Sequence, residues 1–144
     1  MSDIDPLQLS QALLRCASIT PVDDGALDVL EEALSDLGFT CHRLPFSEAG
    51  TPDVDNLYAR IGGRGANFCF AGHTDVVPIG DRDDWSIDPF GGQVREGILY
   101  SRGAADMKCA IACFVAAASR FIGRHGDDFE GSISFLITGD EEGP

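Results

Sequence analysis

The sequence predicts an α/β fold, and three observations predict it. Leucines recur at helical spacing near the N-terminus, residues 67–72 form a short and almost wholly apolar run, and a second such run at residues 132–138 follows another helical stretch. Helices interleaved with short extended segments are the pattern of layered α/β domains and imply a mostly parallel sheet. A chain of 144 residues with 44% hydrophobic content is long enough for one domain with its own core.

Taken in order, Asp5-Pro6-Leu7-Gln8 is a helix start. Asp5 is the N-cap, Pro6 sits in the first turn where no amide hydrogen is needed, and Gln8 is placed to complete a capping box. This helix is expected to run to about Cys16 and to break at residues 18–21. A second helix from about Asp24 puts Leu27, Leu30, Leu34 and Leu37 on one side and stops at Gly38. Residues 39–44 look extended, 45–55 form a polar loop, and 56–61 alternate as a half-buried strand does. The run at 67–72 suits a central strand covered on both faces, and it feeds directly into His73-Thr74-Asp75. Residues 92–95 and 98–101, separated by Glu96-Gly97, predict a hairpin. Asp106 opens a helix whose apolar face carries Ile111, Phe114, Val115, Ala118 and Phe121 and which Gly123 ends before the last strand.

Charge narrows the function classes. Ten Lys and Arg against 24 Asp and Glu give a formal charge of -14, which repels phosphate backbones and anionic lipid, so neither nucleic acid nor membrane is an expected partner. The five cysteines at 16, 41, 69, 109 and 113 are odd in number and scattered through apolar stretches, a poor disulfide framework that fits a reducing compartment. Cys109 and Cys113 share a helix face, where core packing is a better account than a thiolate metal site. With neither the basic flank nor the apolar stretch of a signal peptide at the N-terminus, the cytoplasm is the expected location.

Three polar clusters stand at the ends of predicted elements. In His73-Thr74-Asp75 the first and third side chains fall on one side of an extended chain, so Asp75 can fix the His73 tautomer and leave its other nitrogen as a metal ligand. A surface His–Asp pair is the plainer alternative. Asp106 reads either as an N-cap or as a carboxylate bridging two metal ions. Asp140-Glu141-Glu142 follows an apolar strand, where three adjacent carboxylates are either solvated or gathered around a cation. In a metal site one of them would be a ligand while its neighbour moves a proton, which needs the chain to bend at Gly139. The nucleophile elbow, phosphate loop, dinucleotide fingerprint and His-Glu-x-x-His helix are all missing from the sequence. His42 and His125 have no positioned partner.

Together, FAGHTDVVPIGD with the following DDWSIDPF, LYSRGAADMK and FLITGDEEG resemble, in that order, the dinuclear zinc deacylases and exopeptidases of the M20 peptidase family. The resemblance implies a three-layer α/β/α zinc-exopeptidase-like catalytic domain, of which residues 1–144 are the N-terminal part, without the dimerisation or lid domain. It implies two zinc ions, with cobalt as a substitute, where His73 binds one, Glu142 the other and Asp106 bridges both. Asp75 would support His73, and Glu141 would be the base that activates water for attack on an amide. The implied substrate is a small N-succinyl amino acid, with N-acetyl amino acids or dipeptides as alternatives, and the implied full-length assembly is a homodimer. The fragment alone is expected to be inactive. From another class, the same ligands could hold a structural ion in a non-catalytic module. Cys109 and Ser101 stand where similar sequences carry glycine, so Cys109 is expected either to crowd the turn behind Asp106 or to bring a thiol near the metals.

Overall fold

The computed structural model describes residues 3–126 and 128–143. The first helix, α1 (Pro6–Arg15), begins as its sequence dictates, with the Asp5 carboxylate accepting from the Leu7 amide at 2.8 Å. The second, α2 (Ala26–Asp36), starts two residues later than the leucine pattern suggests. Asp23, and not Asp24, accepts from the Gly25 and Leu27 amides at that end. Leu27, Leu30, Leu34 and Leu37 are all buried, as their spacing requires.

Six strands follow among the described residues: β1 (Thr40–Arg43), β2 (Leu57–Arg64), β3 (Asn67–His73), β4 (Gln93–Arg95), β5 (Ile98–Tyr100) and β6 (Gly131–Thr138). Four form one sheet in the order β1-β2-β6-β3, while β4 and β5 make the predicted hairpin, with Glu96 and Gly97 both at positive φ in its turn. The sheet is not mostly parallel. Only β3 and β6 run parallel, whereas β1 with β2 and β2 with β6 are antiparallel. Connection length is the reason: two residues link β2 to β3, which forces a reversal, and only the long stretch from β3 to β6 has room for a parallel crossover.

That crossover contains the third helix, α3 (Cys109–His125). It runs past Gly123, the predicted stop, because Gly126 at φ 71 takes the terminating role and its amide bonds back to Ile122. The buried face uses Ile111, Ala112, Val115, Ala118 and Ile122. Phe121 lies outside that stripe and packs edge-on against Phe129 instead.

All three helices cover the same sheet face, where Leu57, Ala59, Ile61, Phe135 and Ile137 meet the helical leucines and isoleucines in one core. The α/β class therefore stands, and the described residues supply the sheet and a helical layer on one side of it. The opposite face carries Ser132 and Ser134 with the exposed Leu136. Strand β3 was expected to be central and covered on both faces; among the described residues it is an edge strand, and Phe68 is 62% exposed. An apolar run reports that a strand is destined for cover, not which neighbour provides it. Here Phe70 stacks on Phe114 of α3 at 4.3 Å between ring centres. No helix among the described residues is long and apolar enough to cross a membrane.

Leu30 is fully enclosed, so Leu30→Ala should lower stability by about 2–5 kcal/mol in urea unfolding. Glu32→Ala, on the exposed side of the same helix, should change it by less than about 0.5 kcal/mol.

Candidate metal centre

The parallel pairing of β3 with β6 places His73 beside Thr138, so the two loops that leave these strands start side by side. The Thr74 amide donates to the Thr138 carbonyl at 3.0 Å, which continues the ladder one step past His73. Clefts of open α/β sheets form at such carboxyl ends. His73 is 5% exposed, and its Nδ1 lies 3.0 Å from the backbone carbonyl of Asp75. A carbonyl only accepts, so Nδ1 carries a hydrogen, and Nε2 is the ring nitrogen left to a metal in the neutral imidazole. Nε2 faces Asp106 Oδ1 at 3.2 Å and Glu141 Oε2 at 3.7 Å.

Asp75 acts differently from the expected carboxylate support of His73. Its Oδ1 is 3.5 Å from Nδ1, but the same carboxylate accepts from the Glu141 amide at 3.1 Å and the Glu142 amide at 2.9 Å. The backbone carbonyl orients the imidazole, and the buried side chain clamps the acidic loop. The expected bend after Thr138 is present. A Cβ at Gly139 would lie 2.5 Å from the Asp55 carbonyl oxygen, so close approach to a neighbouring backbone accounts for the glycine. Asn56 Oδ1 accepts from the Gly139 amide at 3.2 Å, and the Thr20 hydroxyl donates to Asp140. The three adjacent carboxylates are thereby dispersed, with Glu141 and Glu142 left to the cleft.

Asp106 is not an N-cap. It lies in a wide turn, residues Ala104–Lys108, and has extended backbone angles of φ -129 and ψ 101, while α3 starts only at Cys109. Its carboxylate, 74% exposed, is turned toward His73 and not onto helix amides. Tight packing shapes this turn: a Cβ on Gly103 would lie 2.6 Å from Val76 Cγ1, and one on Gly72 would lie 3.1 Å from the Met107 methyl. Behind it is Lys108, which sequence reasoning missed as a functional position. The side chain is fully buried, and Nζ donates to the Cys16 carbonyl at the end of α1 at 2.6 Å. Burial pulls its amine down to about 8. The available signal was a lysine entering an otherwise apolar helix face.

All predicted site residues are thus brought together, in a grouping that differs in detail from the expected one. Ligand atoms of His73, Glu141 and Glu142 lie within 4.8 Å of one another, so the tightest trio includes Glu141, the expected base, in place of Asp106. Asp106 joins through His73, and with Glu142 it lines an open cleft of about 340 Å³. The donor set fits a cation. Carboxylate oxygens gathered this closely repel unless positive charge lies between them, and two ligand atoms on one tetrahedral zinc are about 3.3–3.5 Å apart, close to the spacings of Nε2 to the two carboxylates.

The two departures from glycine have local explanations. The Ser101 hydroxyl donates to the Pro89 carbonyl at 2.7 Å. Cys109 contacts Ser10 and lines a separate hollow with Trp85 and Tyr100, so its thiol stands apart from the carboxylates; burial raises its pKa. All five cysteines are free thiols.

A mixed sheet whose one parallel strand pair delivers a histidine and several carboxylates to a single cleft defines an α/β domain with a candidate metal centre. The family model described as peptidase family M20/M25/M40 matches residues 69–144, and the chain belongs to that family. It is 62% identical over 140 residues to the succinyl-diaminopimelate desuccinylase of Rhodospirillum centenum, covering 97% of this chain and 36% of that protein. Identity is also 62% over 143 residues with the enzyme of the same name from Parvibaculum lavamentivorans, covering 99% and 35%. The chain therefore spans about a third of the length of these relatives. Human carnosine dipeptidase 1 superposes with a TM-score of 0.81 at 28% identity, over 95% of this chain and 32% of that one. An M20 family metallo-carboxypeptidase from Sulfolobus solfataricus gives 0.82 at 21%, a likeness of fold alone, over 99% and 32%.

Lys108 sheds its proton near pH 8 when folded but near 10.5 when unfolded, so between those values the unfolded chain binds more protons and stability rises with pH. In the metal-free chain the urea midpoint should gain between pH 7.5 and 9.5, and Lys108→Met should remove that gain.

Proposed function

We propose that the full-length protein carrying this chain is a zinc-dependent amide hydrolase that releases succinate from an N-succinyl amino acid of the diaminopimelate type. The observation that carries the reading is the grouping of His73 Nε2 with the carboxylates of Asp106, Glu141 and Glu142 in one cleft, a donor set that suits a cation. Identity of 62% to enzymes named succinyl-diaminopimelate desuccinylase supports the substrate class.

In this reading His73, Asp106 and Glu142 would hold a pair of zinc ions, and cobalt could replace them. The metal pair supplies acidification of water and stabilisation of charge on the amide oxygen. Glu141 takes a proton from the attacking water on a carboxylate oxygen and passes it to the departing amine nitrogen, so a C–O bond forms, the amide C–N bond breaks, and succinate and free amine leave. Asp75 keeps Glu141 in place through its backbone amide, and the Asp75 carbonyl keeps the imidazole turned.

The substrate is a small molecule. A formal charge of -14 disfavours nucleic acid and anionic membrane as partners, and a cytoplasmic location and a homodimeric full-length form complete the proposal. Residues 1–144 contribute the N-terminal part of the catalytic domain, and a dimerisation or lid domain lies outside them. Because the chain covers 36% of its relative, it should be inactive alone. Hydrolysis of a dipeptide is the second reading, favoured by the superposition on the carnosine dipeptidase at 28% identity.

The test is a chimera in which this chain replaces the matching region of the Rhodospirillum centenum enzyme. It should cleave succinyl-diaminopimelate, and Glu141→Gln should lower kcat by about 10²–10⁴-fold with zinc still bound. Retained turnover in that variant would remove Glu141 as the base; cleavage of dipeptides in preference to the succinyl amide would favour the second reading.

A further inference from the structure

The chain is acidic, and most of its cleft is acidic too. Asp75, Asp106, Glu141 and Glu142 converge on His73, four carboxylates whose charge two zinc ions would only cancel, so the metal pair leaves no net positive charge for the carboxylates of an N-succinyl amino acid. A cation of the protein beside the cleft is suited to receive them. Arg43 is committed to Asp23, Asp28, Glu31 and Asp55, and Arg120 to Asp3.

Arg102 is not. It lines the same cleft as Asp106 and Glu142, four residues before Asp106. Its guanidinium carbon lies 5.3 Å from the centre of the Trp85 ring, and the Trp85 indole nitrogen is anchored on the Ile79 carbonyl at 2.9 Å. The Nε–H is buried without an acceptor, and no ion pair or side-chain hydrogen bond engages the group among the described residues. Its backbone is fixed as well, since the Arg102 amide donates to the Pro89 carbonyl at 2.7 Å. An aromatic face holds a guanidinium in place while leaving its Nη hydrogens free, which is the form suited to bidentate binding of a carboxylate.

We propose that Arg102 is a substrate-binding residue, the docking point for a carboxylate of the acyl amino acid, pre-set by Trp85 at the mouth of the metal cleft. The inference rests on the hydrolase reading above. A lysine in its place would keep the charge but lose the fork geometry and the flat contact with the indole.

The desuccinylase chimera separates the two claims. If the parent chimera does not cleave succinyl-diaminopimelate, the hydrolase reading fails and this inference with it; if it does, the Arg102 variants test the inference alone. Arg102→Ala should raise KM at least ~10-fold, and the inhibition constant of free succinate or of free diaminopimelate should rise with it, while kcat falls less than ~3-fold. Zinc content and melting temperature should be unchanged, and Arg102→Lys should recover part of the loss. Comparing succinyl and acetyl amides of the same amine assigns the carboxylate. A larger penalty on the succinyl compound places the acyl tail at Arg102, and an equal penalty places the amino-acid carboxylate there. An unchanged KM overturns the proposal, as does a fall in melting temperature with KM and inhibitor binding intact, the result expected of a strut between the loop and the hairpin.

Discussion

Two carboxylate oxygens stand within 3.7 Å of one imidazole nitrogen, while the other nitrogen of His73 is turned onto a backbone carbonyl. Everything else near the cleft makes sense as a means of holding these acidic groups around one point where a cation can sit. Asp106 and Glu141 come from segments far apart in the chain, and each is held by backbone geometry and not by attraction to the histidine. The Glu141 amide is tied to Asp75, and Asp106 is set by a turn whose glycine at 103 leaves no room for a side chain.

The scaffold accounts for this precision. Parallel register between β3 and β6 fixes where the two loops begin, and the core beneath them is continuous across α1, α2 and α3. Lys108 joins two of these pieces, tying the turn after Asp106 to the end of α1. A fully buried ammonium bonded to one carbonyl costs solvation energy, which the surrounding packing has to offset. Its position suggests why the cost is tolerated: it anchors the chain two residues from a site carboxylate.

Much of the fold was legible because its signals are local. The leucine stripe of α2, the Asp5 cap and the Glu96-Gly97 turn each depend on residues within a few positions of one another. Strand order was not legible. The expectation of a mostly parallel sheet with β3 in its middle missed that a two-residue link sends β2 and β3 to opposite sides of β6. Local geometry also overrode propensity at Asp106, where a capping residue before a helix turned out to lie in an extended kink. For the site, the identities His73, Asp75, Asp106, Glu141 and Glu142 came from the motifs and their resemblance to a family, and the structure gathers them. The division of labour within Asp75 was hidden, since its carboxylate bonds link residues 66 and 67 positions apart.

The most direct test of the account is anomalous diffraction at the zinc edge from crystals of the zinc-loaded protein. A peak should appear about 2.0–2.1 Å from His73 Nε2, on the side of Asp106 and Glu141. Zinc bound elsewhere, with Nε2 left free and the carboxylates still gathered around it, would contradict the claim that this cleft is built to hold a metal ion.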